Sequence, residues 1–169
     1  MQKLVGVASG FLFVLSATIV STAFQAQAPS IQETLNRLQK TLTTHGSRAS
    51  VGYIRRFEPR EFRACKISYE LVPQLGPDHQ GYVPDTERVT FQLTDLDAAR
   101  ISLYAGKNGT YLVGFRTVDQ KQTIETRHAK EAHTFGDAYF TNSHTFTLTN
   151  KSAAEEVRST LTQAIKLCQ

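Results

Sequence analysis

Cys65 and Cys168 are the only thiols in the chain. One intramolecular pairing is possible; the alternative is two free thiols buried as small apolar groups. Their separation fits neither a C-x-x-C redox pair nor a metal knuckle. The densest charge lies at 55–63, where Arg55, Arg56, Arg60 and Arg63 are interleaved with Phe57 and Phe62. Guanidinium groups fork onto phosphate and carboxylate, so this run is a candidate contact for an anionic partner or a lipid surface. Glu58 and Glu61 interrupt it, and a solvated face of local ion pairs is the alternative.

The histidines are His45, His79, His128, His133 and His144. Glu125, His128 and His133 come nearest to a metal set, but their spacing matches no zinc pattern. In a strand Glu125 and His128 point to opposite faces. Surface or loop histidines are the better account, and no metal is expected. Asp95 and Asp97 imitate a carboxylate pair for acid–base chemistry. They follow a strand directly, where an aspartate accepts from its own backbone two residues on, so a turn is expected instead. The segment 129–142 is long and aromatic, and His133, Asp137 and Tyr139 make it a candidate site because long loops in compact domains tend to be functional. No nucleophile elbow, phosphate loop or dinucleotide fingerprint is present, so no cofactor is implied.

These residues need elements to position them. Ser30 with Glu33 makes a capping box, and Ile31, Leu35, Leu38 and Leu42 continue one apolar stripe at helical period, so a helix is expected within 29–46. His45-Gly46 ends it, with Gly46 available for a left-handed cap. Cys65, Ile67, Tyr69 and Leu71 alternate with Lys66, Ser68 and Glu70, the signature of a strand with an inner and an outer face. Val89, Phe91 and Leu93 repeat that pattern. Ile101 and Leu103, then Tyr111, Val113 and Phe115, flank Asn108-Gly109, the pair a type I′ hairpin prefers. Asp119-Gln120 reads as a second tight turn before a strand at 122–127. Segment 50–57 is a weaker strand, 73–84 a loop, 129–142 irregular, and 145–149 a last strand.

Ser152 with Glu155 makes a second capping box. Ala154, Val157, Leu161, Ala164, Ile165 and Cys168 then share one helical face. Both cysteines are thereby aimed at one core, and a bridge becomes the geometric expectation. The whole order is helix, about seven antiparallel strands with short hairpins, then helix, which is α+β in one domain.

The opening residues carry a compartment signal. Lys3, the apolar run 4–20 and Ala26-Gln27-Ala28 follow the plan of a secretory signal peptide, residues 1–28, cleaved after Ala28. The run falls short of the ~20 predominantly apolar residues of a spanning helix; an uncleaved anchor is the alternative. Without this segment the chain loses only Lys3 from a net charge of +4. That balance is too weak to imply nucleic acid. An exported protein, periplasmic or secreted, also suits a disulfide.

Seven antiparallel strands closed by a C-terminal amphipathic helix resemble, over roughly 50–168, the pleckstrin-homology-like barrel. Cys65-Lys66-Ile67, Phe91-Gln92-Leu93-Thr94-Asp95-Leu96-Asp97 and Ala164-Ile165-Lys166-Leu167-Cys168 resemble phrases of a group of small exported bacterial proteins of uncharacterised function. The first resemblance implies a partly open barrel over 47–169 with a basic loop at 55–63 gripping head groups; the N-terminal helix departs from that plan and is expected to cover one open end. The second implies pairing of Cys65 with Cys168 and no activity. The expected function is therefore an exported, non-enzymatic binding or interaction domain. Its partner would be a protein or small ligand of the cell envelope. The alternative is a small exported enzyme with its site near 129–142.

Overall fold

The structure is a computed structural model and describes residues 29–50, 53–75, 85–129 and 134–169. The expected signal peptide and His133 lie outside the described residues, as does most of the expected loop 73–84. Helix α1 spans Ile31–His45. The Ser30 side chain accepts from the Glu33 N–H, and the Glu33 carboxylate accepts from the Ser30 N–H at 2.7 Å, so the expected capping box forms. Leu35, Leu38 and Leu42 are wholly buried. The C-terminal end departs from expectation, because Gly46 is extended, with φ −80°. It is needed for space instead: a Cβ there would stand 2.4 Å from the Leu42 carbonyl oxygen.

Helix α2 spans Lys151–Cys168 and starts earlier than the Ser152 capping box required. Asn150 caps it by accepting from the Ala153 N–H at 2.8 Å, and the Asn150 amide also meets His45 Nδ1 at 3.2 Å. A capping amide tied to the end of α1 outcompetes a serine two residues on. Ala154, Val157, Leu161, Ala164 and Ile165 are buried as their spacing demands.

Nine strands are described: β1 Ser47–Ser50, β2 Tyr53–Arg63, β3 Lys66–Leu75, β4 Thr86–Gln92, β5 Ser102–Ala105, β6 Tyr111–Arg116, β7 Ile124–Ala129, β8 Tyr139–Thr141 and β9 Ser143–Leu148. They form one six-stranded sheet, β1-β2-β3-β4-β7-β8, and one three-stranded sheet, β5-β6-β9. All pairings are antiparallel, and the fold is α+β as expected. Neither sheet closes into a barrel.

The chain is also not a simple run of hairpins. After β4 it crosses to the small sheet for β5 and β6, then returns to place β7 beside β4. The Asp119-Gln120 turn, with φ of 55° and 57°, is this crossing point. Thr117 marks the corner: its hydroxyl donates to the Lys121 and Asn142 carbonyls, at 2.6 and 3.2 Å. The expected β5–β6 hairpin does form, with positive φ at both Asn108 and Gly109. Segment 129–142 is less irregular than expected, since Tyr139–Thr141 adds an edge strand to β7.

Two corrections concern β2 and β3. The 55–63 segment is the long strand β2, not a loop. Phe57 and Phe62 face the core, and a register shift between Pro59 and Glu61 lets both do so. Cys65 lies outside the inner face of a strand. Ala64 and Cys65 form the tight β2–β3 turn, with φ of 47° and 62°. The cysteine still packs beside the core. It stands at disulfide distance from Cys168, with sulfurs 2.11 Å and Cα atoms 5.8 Å apart. The bond joins the β2–β3 turn to the end of α2.

One core serves both sheets and both helices. At its centre Phe57, Tyr69, Phe91, Phe115 and Phe146 are mutually stacked or tilted, with ring centroids 4.6–6.5 Å apart. Such burial is the principal driving force available to a chain this size.

Candidate functional site

β3 of the large sheet and β9 of the small sheet face one another without pairing. Between them lies a cleft of about 460 Å³, lined by Leu42, Phe57, Tyr69, Leu71, Glu87, Leu112, His144 and Phe146 among others. Tyr69 and Leu71 are inner positions of β3, whereas β9, an edge strand, lines the cleft with five consecutive residues, Ser143 to Thr147, and so with both of its faces.

The cleft is mixed in character: Ser47, Tyr104, Ser143, Thr145 and Thr147 line it beside Tyr69, Glu87 and His144. The Tyr69 hydroxyl and His144 Nε2 share a hydrogen bond of 2.6 Å. Burial, reinforced by the Glu87 charge, pushes the Tyr69 phenol well above its ordinary value. Tyr69 is therefore neutral at any physiological pH and serves as a hydrogen-bonding anchor, not as a base. Glu87 accepts from Arg55 Nη1 at 2.6 Å, and these side chains are only 10% and 13% exposed. The site thus offers aliphatic and aromatic walls interspersed with hydroxyl groups, one phenol–imidazole pair and one neutralised ion pair.

The arginines of 55–63 do not gather. Arg55 turns inward to Glu87, while Arg56 is exposed and paired with Glu58. Arg60 reaches Glu58 and Glu70, and Arg63 meets Glu61 at 2.9 Å. A loop would let four side chains converge; a strand distributes them between faces.

Glu70 is the unexpected member. Alternation predicts a wet outer face for β3, yet Glu70 is wholly buried, clamped by Arg60 and Arg88. Burial alone would raise its pKa, but the hydrogen bonds and charges of Arg60 and Arg88 outweigh that and hold it below the usual carboxylate value.

In segment 129–142, Asp137 is on the surface. Tyr139 is exposed and stacks on His128 with ring centroids 5.5 Å apart. Glu125 and His128 lie opposite Thr90 and Glu87, on different faces of β7. No group of three His, Cys, Asp or Glu among the described residues could hold a metal ion. Asp97 accepts from the Ala99 N–H at 2.9 Å, the backbone turn expected of it.

Tyr69 and His144 were not legible as a pair. Their signal was an inner-face tyrosine with a polar tip and a histidine two residues before an inner-face phenylalanine. Pairing them needs the long-range packing of β3 against β9. Among the described residues no helix is long and apolar enough to cross a membrane. Comparison with protein families, curated proteins and solved structures finds no match to this chain.

Proposed function

We propose that this protein is an exported, non-enzymatic binding domain whose ligand occupies the cleft between β3 and β9. The observation that carries this reading is the cleft itself: about 460 Å³, walled by Leu42, Phe57, Leu71, Leu112 and Phe146, with Tyr69 and His144 as its polar anchor. Small-molecule sites have this size, and they combine apolar walls with convergent polar groups. The ligand class is an amphipathic molecule with an apolar body and a neutral hydrogen-bonding head, because Glu87 is already neutralised by Arg55.

The architecture supports the reading in one further respect. Antiparallel strands followed by an amphipathic helix agree with a pleckstrin-homology-like domain only in that coarse sequence of elements, since the strands divide into two unclosed sheets and β7 returns beside β4. A membrane-facing role for 55–63 draws no support from β2, whose arginines divide between two faces. The enzyme alternative near 129–142 draws none either, since Asp137 and Tyr139 lie on the surface and do not line this cleft.

The test is titration with N-phenyl-1-naphthylamine, a neutral apolar fluorophore. Saturable binding at one site, abolished by Leu112→Trp with folding intact, is the expected result. Absence of saturable binding, or equal binding by that variant, overturns the proposal. Export is tested separately: the chain expressed in a bacterium should begin at Pro29 on N-terminal sequencing, and retention of Met1 would exclude cleavage.

A further inference from the structure

The outer face of the six-stranded sheet carries a second groove, on the opposite side of the sheet from the cleft. It holds about 1010 Å³ and runs from the polar side of α1, over the β2 bulge, to β7 and Phe135. Five cations line it: Arg60, Arg63, Lys66, Arg88 and Arg127. Their carboxylate partners are Glu61, shared by Arg63 and Lys66, Glu70, shared by Arg60 and Arg88, Glu58, shared by Arg60 and the neighbouring Arg56, and Glu125, which meets Arg127. Three carboxylates thus each serve two cations, and with Arg56 counted, six cations face four carboxylates, which leaves an excess of positive charge.

The register sharpens this. Arg88 and Arg127 are directly opposite on β4 and β7. Like charges at that position are unfavourable on adjacent strands. Arg88 is nevertheless held in place, from below by Glu70 and from above by the Phe135 ring, 3.8 Å from its guanidinium carbon. Burying Glu70 on a face that strand alternation leaves wet fixes two guanidiniums against the groove floor. An anion between Arg88 and Arg127 would relieve their repulsion.

We propose that this groove binds a carboxylated oligosaccharide. The positive charge is spread along the groove and partly neutralised residue by residue, which suits carboxylates spaced along a chain better than a compact phosphate dianion. The α1 wall carries Gln32, Asn36 and Gln39; the Gln32 amide nitrogen donates to Asn36 Oδ1 and the Phe62 carbonyl, which leaves its own oxygen and the Asn36 amide nitrogen facing sugar hydroxyls with complementary acceptor and donor. Phe135 adds an apolar ring beside them. The length from α1 to β7 accommodates an extended ligand.

The experiment is calorimetric titration of the full mature chain with oligogalacturonate, alongside neutral dextran, inorganic phosphate and phosphatidylglycerol vesicles. The variant is Lys66→Gln with Arg127→Gln, which leaves the Arg60–Glu70–Arg88 clamp intact; its melting temperature is measured in parallel. Binding of oligogalacturonate alone is expected. It should weaken as salt rises and fall about tenfold or more in the variant. Leu112→Trp, which fills the other cleft, should leave it unchanged. Failure to bind oligogalacturonate, equal affinity for phosphate or vesicles, or undiminished binding by the folded variant would each overturn the assignment. Because the two sites lie on opposite faces, failure here leaves the fluorophore result standing, and the reverse.

Discussion

Tyr69 Oη lies 2.6 Å from His144 Nε2, so one hydrogen bond links the middle of the large sheet to the edge of the small one. The contact is partly buried and lies in the wall of the cleft.

Replacing Tyr69 with Phe should cost about 1 kcal/mol at neutral pH, the net worth of an ordinary hydrogen bond. The pH dependence is more telling. The folded state raises the Tyr69 pKa above its ordinary 10.0. Stability from the neutral phenol is therefore complete below pH 10 and is lost as pH rises toward the higher folded value. Urea midpoints measured from pH 8 to 11.5 should fall more steeply for the wild type than for Tyr69→Phe. Parallel curves would show that the phenol ionises without unfolding cost.

Glu70→Gln should destabilise by roughly 1–3 kcal/mol, less than for a wholly buried pair because Arg60 and Arg88 are 42% and 38% exposed. Its pKa is depressed below the ordinary 4.5. The stabilisation is therefore present above pH 4.5 and disappears as pH falls through the lower folded value. The variant should show a shallower acid limb in chemical denaturation between pH 5 and 2.5. An unchanged limb would assign acid unfolding to other carboxylates.

Reducing the Cys65–Cys168 bond, or replacing both residues with Ala, releases a separation of 103 residues in the unfolded chain. The chain-entropy model gives about 4–5 kcal/mol for a loop of that size. Denaturant midpoints of the double-alanine variant measure it. Intact mass should show the wild type lighter by two hydrogens than its reduced form.

Ala64 and Cys65 adopt the left-handed region without being glycine or asparagine. Each such residue costs roughly 1–2 kcal/mol. Ala64→Asn, which suits the first central position of a type I′ turn, should raise stability by about 0.5–1 kcal/mol. A melting temperature at or below that of the wild type would place the strain elsewhere.

The helices were the most legible elements, because Leu35-Leu38-Leu42 and Ala154-Val157-Leu161-Ala164-Ile165 carry their period locally. The strands with clean alternation, at 66–71 and 89–92, were equally plain. The partition into two sheets was not legible: Asp119-Gln120 reads the same whether it closes a hairpin or carries the chain between sheets, and only the distant partners β9 and β4 decide. The 55–63 run misled because Pro59 and dense charge argue for a loop, whereas a bulge at Arg60 lets the strand continue. The candidate cleft was hidden for the same reason as the sheet order, since Tyr69 and His144 meet across 75 residues of chain. Ser68 and Glu70 read as solvent-facing, but Ser68 pairs with Thr90 of the next strand and Glu70 is covered by Arg60 and Arg88.

The bond between Cys65 and Cys168 has a consequence for resistance to proteolysis. A protease that nicks any backbone link between those two positions leaves the halves covalently joined, so a single cut frees nothing. Helix α1 stands before Cys65 and lacks that insurance. One scission between it and the turn would let a short N-terminal peptide depart and bare the seat of Leu35, Leu38 and Leu42, making the stretch ahead of Cys65 the molecule's weak point in a digestive environment.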